Sequence, residues 1–181
     1  MMMKAKVMRS SAALFLLSAI SWPTSASAEP RLLQFGPPSS EVAFRAYKLG
    51  LLPLDGRFQH FSGRLSYDPY NHGNCRVELS VDAASLATED PSMLAIVAGP
   101  DFLDVTDFPS LSYSGSCDSG TIDGVLEMHG VSHPFKLDLT WAPDEVQAEG
   151  RLLRAAWGMT AMPALAGRTI RIRVSIPLPA K

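Results

Sequence analysis

Four histidines (His60, His72, His129 and His133) and two cysteines (Cys75 and Cys117) are the side chains best equipped for chemistry. A zinc site needs three or four ligands that converge. His129 and His133 stand four residues apart, a spacing that shares one face only on a helix. Gly130 and Pro134 lie inside and beside the pair, and alternating apolar residues flank it, so no helix is expected. No glutamate follows His129, as a metalloprotease helix would require. Turn or surface positions are therefore expected for these histidines, and no metal. Serines are plentiful, but no Gly-x-Ser-x-Gly elbow accompanies them. Asp101, Asp104 and Asp107 are interleaved with Phe102, Leu103, Val105 and Phe108. That spacing suits a turn that pins apolar residues while its acids cap or stay wet. No glycine loop of the phosphate-cradling kind is present. No catalytic residue and no cofactor is expected.

The elements that carry these residues have a period of two. "EVAFRAY", "RVELSV", "SLSYSGSC", "FKLDLTW" and "TIRIRVSI" each alternate an apolar and a polar face. Such strands belong to antiparallel sheets with one wet side. "FQHFSGRLSY" and Val146 to Leu153 read as less regular strands, with Gly63 as an expected bulge or bend. Turn chemistry separates them at Asp68 to Asn74, Ser116 to Thr121 and Ala142 to Glu145. The hairpin connection His129-Gly130-Val131-Ser132-His133 leads to Pro134 and the next strand. One long excursion, about residues 83–109, carries an expected helix from Pro91 to Val97, where proline suits the first turn. Some eight antiparallel strands with one helical excursion predict an all-β barrel, because closure removes exposed edges. At that size a barrel either packs solid or holds one slender ligand.

The N-terminus reads as an export signal. Lys4, Lys6 and Arg9 precede an apolar run from Ser11 to Trp22, and Ala26-Ser27-Ala28 fits signal peptidase. Cleavage after Ala28 would leave residues 29–181 as one domain, in the periplasm. Three of the 16 Lys and Arg lie before residue 29 and none of the 18 Asp and Glu, leaving 13 against 18, a net of −5. That balance argues against nucleic acid or an anionic lipid surface as partner. No apolar run is long enough for stable membrane insertion. Cys75 and Cys117 both fall in the exported part, where a disulfide is expected, the alternative being two unpaired buried thiols.

Four stretches, in this order, are similar to the YceI-like family. They are "DGRFQHFSGRLSYDP" (Asp55 to Pro69), "VELSVDAASLATED" (Val77 to Asp90), "DFLDVTDFPSLSY" (Asp101 to Tyr113) and "GVLEMHGVSHPFKLDL" (Gly124 to Leu139). The resemblance runs from Leu32 to Pro177. It implies an exported, eight-stranded lipocalin-like barrel that binds polyisoprenoid lipids. Two places depart from the pattern: "GPPSSEVAF" lacks the family's histidine, and "MLAIVAGPDF" replaces a polar run with apolar residues.

The resemblance bears on what the inward face does. Phe44, Phe58, Phe61, Val77, Leu79, Tyr113, Leu126, Phe135, Leu137, Leu139, Trp141, Ile172 and Val174 fall on inward strand positions. Leu94, Phe102, Trp157, Met159 and Met162 come from the excursion and from a glycine- and alanine-rich loop. This set either fills a core or lines a tunnel, and the periodicity is the same for both. A hollow barrel like the family's would make it the lining for a polyisoprenoid or isoprenoid-quinone chain, held without catalysis. Two alternatives stand beside that reading. One is a hydrolase or isomerase of apolar substrates. The other is a solid-barrel stress-response or interaction protein, with Trp157 and Met93 to Val97 as its apolar surface, or as a homodimer contact.

Overall fold

The computed structural model describes residues 29–179, so the signal-peptide expectation lies outside the described residues. Eleven strands and one α-helix follow in order. The first six strands are β1 (Arg31–Phe35), β2 (Glu41–Lys48), β3 (Leu52–Phe58), β4 (Phe61–Tyr67), β5 (Cys75–Asp82) and β6 (Leu86–Thr88). Helix α1 (Pro91–Ala98) comes next. Then follow β7 (Ser110–Asp118), β8 (Thr121–Met128), β9 (Val131–Trp141), β10 (Glu145–Leu153) and β11 (Thr169–Pro177). All pair antiparallel in one sheet, ordered β1-β4-β5-β7-β8-β9-β10-β11-β2-β3-β6.

The count differs from the expected eight because three long staves are broken at one level. β1 and β2 run along β4 and β3 and are split by a turn at residues 36–40. β3 and β4 are split at Gln59 and His60, and β5 and β6 by a 3₁₀ turn at Ala83–Ser85. β5 pairs with β4 and β6 with β3, so these last two staves stay partners across the bend. Gln59 N–H donates to Ser85 O, and Asp82 N–H to His60 O, which carries the pairing around the corner. Joined through the bends, the eleven strands make eight staves, and β11 against β2 brings the last stave to the first.

The bend therefore lies at Gln59–His60 and not at Gly63. Gly63 stays in register, opposite Phe35 and Leu79. A Cβ at Gly63 would collide with the Phe35 ring, and one at Gly56 with the Phe44 ring. Glycine at these inward positions lets a cross-strand aromatic lie flat on the backbone. The β8–β9 connection is also shorter than expected. Met128 pairs with Val131, leaving a two-residue turn of His129 (φ 53°) and Gly130 (φ 70°). Positive φ at both central residues is the hairpin geometry that matches strand twist. Pro134 lies inside β9, where that strand has β8 on one side but pairs with β10 only from Asp138 to Trp141. The missing N–H is tolerated there because no ladder partner faces it.

Helix α1 begins where Asp90 accepts from Ser92 N–H and Pro91 fills the first turn. Cys75 and Cys117 form a disulfide between the neighbouring strands β5 and β7, with Cα atoms 4.9 Å apart.

Candidate functional site

The barrel has two different ends. At one end lie the turns 68–74, 119–120 and 142–144, with the disulfide. Tyr67 and Trp141 meet there with ring centroids 5.3 Å apart, and His72 stacks on Trp141 at 4.2 Å. Tyr67 and Cys75 are buried. This end is a plug. At the other end lie the 49–51 turn, the α1 excursion, the His129–Gly130 turn and the long 154–168 connection.

Between them runs a cavity of about 530 Å³. Its deep wall holds Leu65, Val77, Ile122, Leu137, Val146 and Ile176, close to the plug. Its mouth holds Tyr47, Leu49, Leu52, Met93, Ile96, Val97, Met162, Leu165 and Gly167. Six inward strand residues, Phe44, Leu79, Leu126, Leu139, Ile170 and Ile172, line it and are only half-buried. Side chains on the inside of a closed sheet keep accessible surface only where the interior is empty. Packed cores leave few voids larger than a water molecule. The interior is hollow.

Most of the residues expected to line a cavity do so: Phe44, Phe58, Val77, Leu79, Phe102, Tyr113, Leu126, Phe135, Leu137, Leu139, Met159, Met162, Ile172 and Val174. Four lie outside it. Phe61 starts β4 just past the bend. Leu94 of α1 does not reach the cavity, whereas Met93, Ile96 and Val97 of the same helix line its mouth. Trp141 belongs to the plug. Trp157 is buried behind the wall, where its Nε1–H donates to Leu126 O at 3.1 Å and its ring meets Phe135 edge-on.

The histidine pair is explained by the same tryptophan. His129 Nδ1 lies 3.0 Å from Trp157 O. A carbonyl only accepts, so Nδ1 carries the proton. The His129 ring lies edge-on to Phe108, and the His133 ring edge-on to Trp157. Both clamp the connection behind the barrel wall, and neither lines the cavity. Asp104 takes a turn conformation (φ 45°) and its carbonyl accepts from the N–H groups of Asp107 and Phe108. Leu103 is buried beside it. No group of His, Cys, Asp or Glu that could hold a metal occurs among the described residues.

The cavity lining contains no His, Cys, Asp or Glu. Tyr113 spends its hydroxyl on Phe135 O at 3.1 Å, and burial pushes its ionisation far up. Lys48 lies at the mouth, where its Nζ pairs with Asp90 at 2.9 Å. Sequence reasoning missed both lining charges, Lys48 and Arg154, and of the two Arg154 is the buried one, only 4% exposed. Its signal was legible: Val146, Ala148, Gly150 and Leu152 are the inward positions of β10, and residue 154 continues their phase. Large exposed apolar side chains also gather at the mouth: Leu49, Leu51, Leu52, Ile96, Met162 and Leu165.

Residues 34–178 match the YceI-like domain. A UPF0312 protein of Vibrio cholerae is 26% identical over 129 residues, 68% of each chain. Protein YceI of Shigella flexneri is 28% identical over 102 residues, 54% of this chain and 53% of its own. BcnA of Burkholderia cenocepacia superposes with a TM-score of 0.66 at 18% identity, over 77% of this chain and 96% of its own. A polyisoprenoid binding domain from Saccharophagus degradans gives 0.56 at 13%, over 78% and 94%. With the domain match spanning nearly all of the described barrel, the chain belongs to the YceI-like family.

Proposed function

We propose that this protein is an exported carrier that holds a polyisoprenoid or isoprenoid-quinone chain in its barrel, without catalysis. The observation that carries the reading is the apolar cavity of about 530 Å³, closed at one end and open at the other. Each CH₂ taken from water contributes about 0.8 kcal/mol, so affinity grows with the length of chain enclosed. The apolar rim at the mouth lets a chain enter without crossing polar surface. A fold neighbour described as a polyisoprenoid binding domain supports this choice of ligand. The Cys75–Cys117 bridge supports an oxidising compartment such as the periplasm. Non-catalysis is supported by a lining without His, Cys, Asp or Glu.

The test is organic extraction of the protein purified from its native compartment, followed by mass spectrometry. An isoprenoid chain in the extract, and a mature N-terminus at Glu29, are the expected results. If no lipid is recovered and the stripped protein fails to take up geranylgeraniol, the carrier reading is wrong.

A further inference from the structure

Arg154 is the least expected residue in the cavity wall. Only 4% of its surface is exposed. Its Nε–H donates to Gly167 O at 3.0 Å, one Nη to Met159 O, and the other to Ala166 O at 3.4 Å. All three acceptors are neutral carbonyls. Among the described residues no carboxylate forms an ion pair with it. A guanidinium has five N–H donors, so two remain after these three bonds. Burying an unpaired charge is costly, and nature normally pairs it. Burial without an acid also draws the guanidinium below its ordinary pKa.

Its position fits a ligand better than a bare structural role. Arg154 lies at the mouth end, with Phe102, Met159, Ala166 and Gly167 around it, all lining the cavity. Lys48, the other lining cation, is already satisfied by Asp90. A chain inserted toward the Tyr67–Trp141 plug would leave its polar head beside Arg154.

We propose that Arg154 reads the headgroup of the bound amphiphile, and that the head is an oxyanion, a phosphate or a carboxylate. This rests on the carrier reading and narrows it, because an oxyanion head excludes the neutral isoprenoid quinone. The carbonyls of Met159, Ala166 and Gly167 fix the fork, and the free N–H groups meet the oxyanion.

The test compares two matched pairs on stripped protein: geranylgeranyl phosphate against geranylgeraniol, and palmitate against hexadecanol. The wild type should bind an anionic member roughly tenfold or more tighter than its alcohol. A preference in one pair alone identifies the head as phosphate or as carboxylate. Arg154→Met should erase the preference, so that the two members of each pair bind alike. Should Arg154→Met not fold, Arg154→Lys serves, because it keeps the charge but loses the fork; the preference should then fall several-fold. Equal wild-type binding of both members in both pairs overturns the proposal and leaves the carrier reading standing. So does an undiminished preference in Arg154→Met or in Arg154→Lys. Failure of all four probes to bind overturns both.

Discussion

Ala148 offers a direct test of whether the barrel is hollow. It lies on β10 with Leu139 and Val174 beside it in register, is 5% exposed, and lines the cavity. Ala148→Phe adds a phenyl ring to the interior. In a packed core such overpacking costs about 1–3 kcal/mol. In a cavity of about 530 Å³ the ring finds room. Burying a phenylalanine side chain contributes about 1.5–3 kcal/mol over exposure, less roughly 0.5–1 kcal/mol of lost rotamer freedom. The lipid-free variant should therefore be as stable as the wild type, or about 1–2 kcal/mol more stable. The ring also takes space from the ligand. Displacing three to six chain carbons at about 0.8 kcal/mol each weakens binding by about 2–5 kcal/mol, on the order of fifty- to several-thousand-fold. Urea unfolding of stripped protein measures the first effect, because bound lipid would itself stabilise the fold. Titration with geranylgeraniol measures the second. A variant destabilised by 1–3 kcal/mol with undiminished binding (an overpacked core and a ligand elsewhere) would refute the hollow barrel.

Three further outcomes follow from the same geometry. Replacing Cys75 and Cys117 together with serine should lower unfolding stability by about 3–4 kcal/mol, given a loop of 42 positions, measured in urea against the oxidised wild type. Trp157→Ala should cost about 3–5 kcal/mol by cavity formation. Trp157→Phe should cost about 1–2 kcal/mol, because Leu126 O loses its donor; equal costs would mean that the hydrogen bond carries the whole effect. Asp55 receives two hydrogen bonds from Arg45, at 2.6 and 2.8 Å, which hold its carboxyl below the ordinary range. Its contribution is then complete above the unfolded value near pH ~4 and is lost as pH falls through the lower folded value. The stability gap between wild type and Asp55→Asn should be small, constant at neutral pH, and vanish in acid.

The strands were legible because each carries one wet and one dry face. β11 shows why the legibility stopped there. Ile170, Ile172, Val174 and Ile176 alternate identically in the sequence, yet the first two are half-buried against empty space and the last two are buried near the plug. Periodicity reports which way a side chain points, not what it meets. The bends were hidden for a related reason. Gly63 looked like a break, whereas Gln59 and His60, which have no special backbone freedom, make it. What turns the chain there is the cross-strand partner segment, where Ser85 Oγ donates to Asp82 O and accepts from His60 N–H. Non-local bonds of that kind leave no local signature. Trp157 was misplaced because a tryptophan in a glycine- and alanine-rich loop is equally at home at a mouth or behind a wall. Its two histidine contacts, from residues 28 and 24 positions earlier, decide the matter.

The two ends of the barrel give the cavity a direction, and direction is what separates a carrier from a merely porous core. At the plug, two aromatic rings, a stacked imidazole and a disulfide tie strands together where they would otherwise splay. At the mouth, the wall is built from a hairpin turn, a helix with no buried residue and a long connection. Local stability follows burial, so the mouth is where the structure opens most readily. The long connection is nevertheless tied down, by Arg154 to Met159, Ala166 and Gly167 and by Gly167 N–H to Tyr47 O at 2.7 Å. Helix α1 is tied at both ends, by Asp90 to Lys48 at its start and by the N–H groups of Leu103 and Val105 to Val97 O and Ala98 O at its end. Between those ties the helix has no buried residue, while the connection is held by the bonds of Arg154 to its carbonyls. On the carrier reading, a chain that enters tail-first past this rim would leave its head beside Arg154, where the Phe102 ring of the α1 excursion also lies, its centroid 5.5 Å from Cζ.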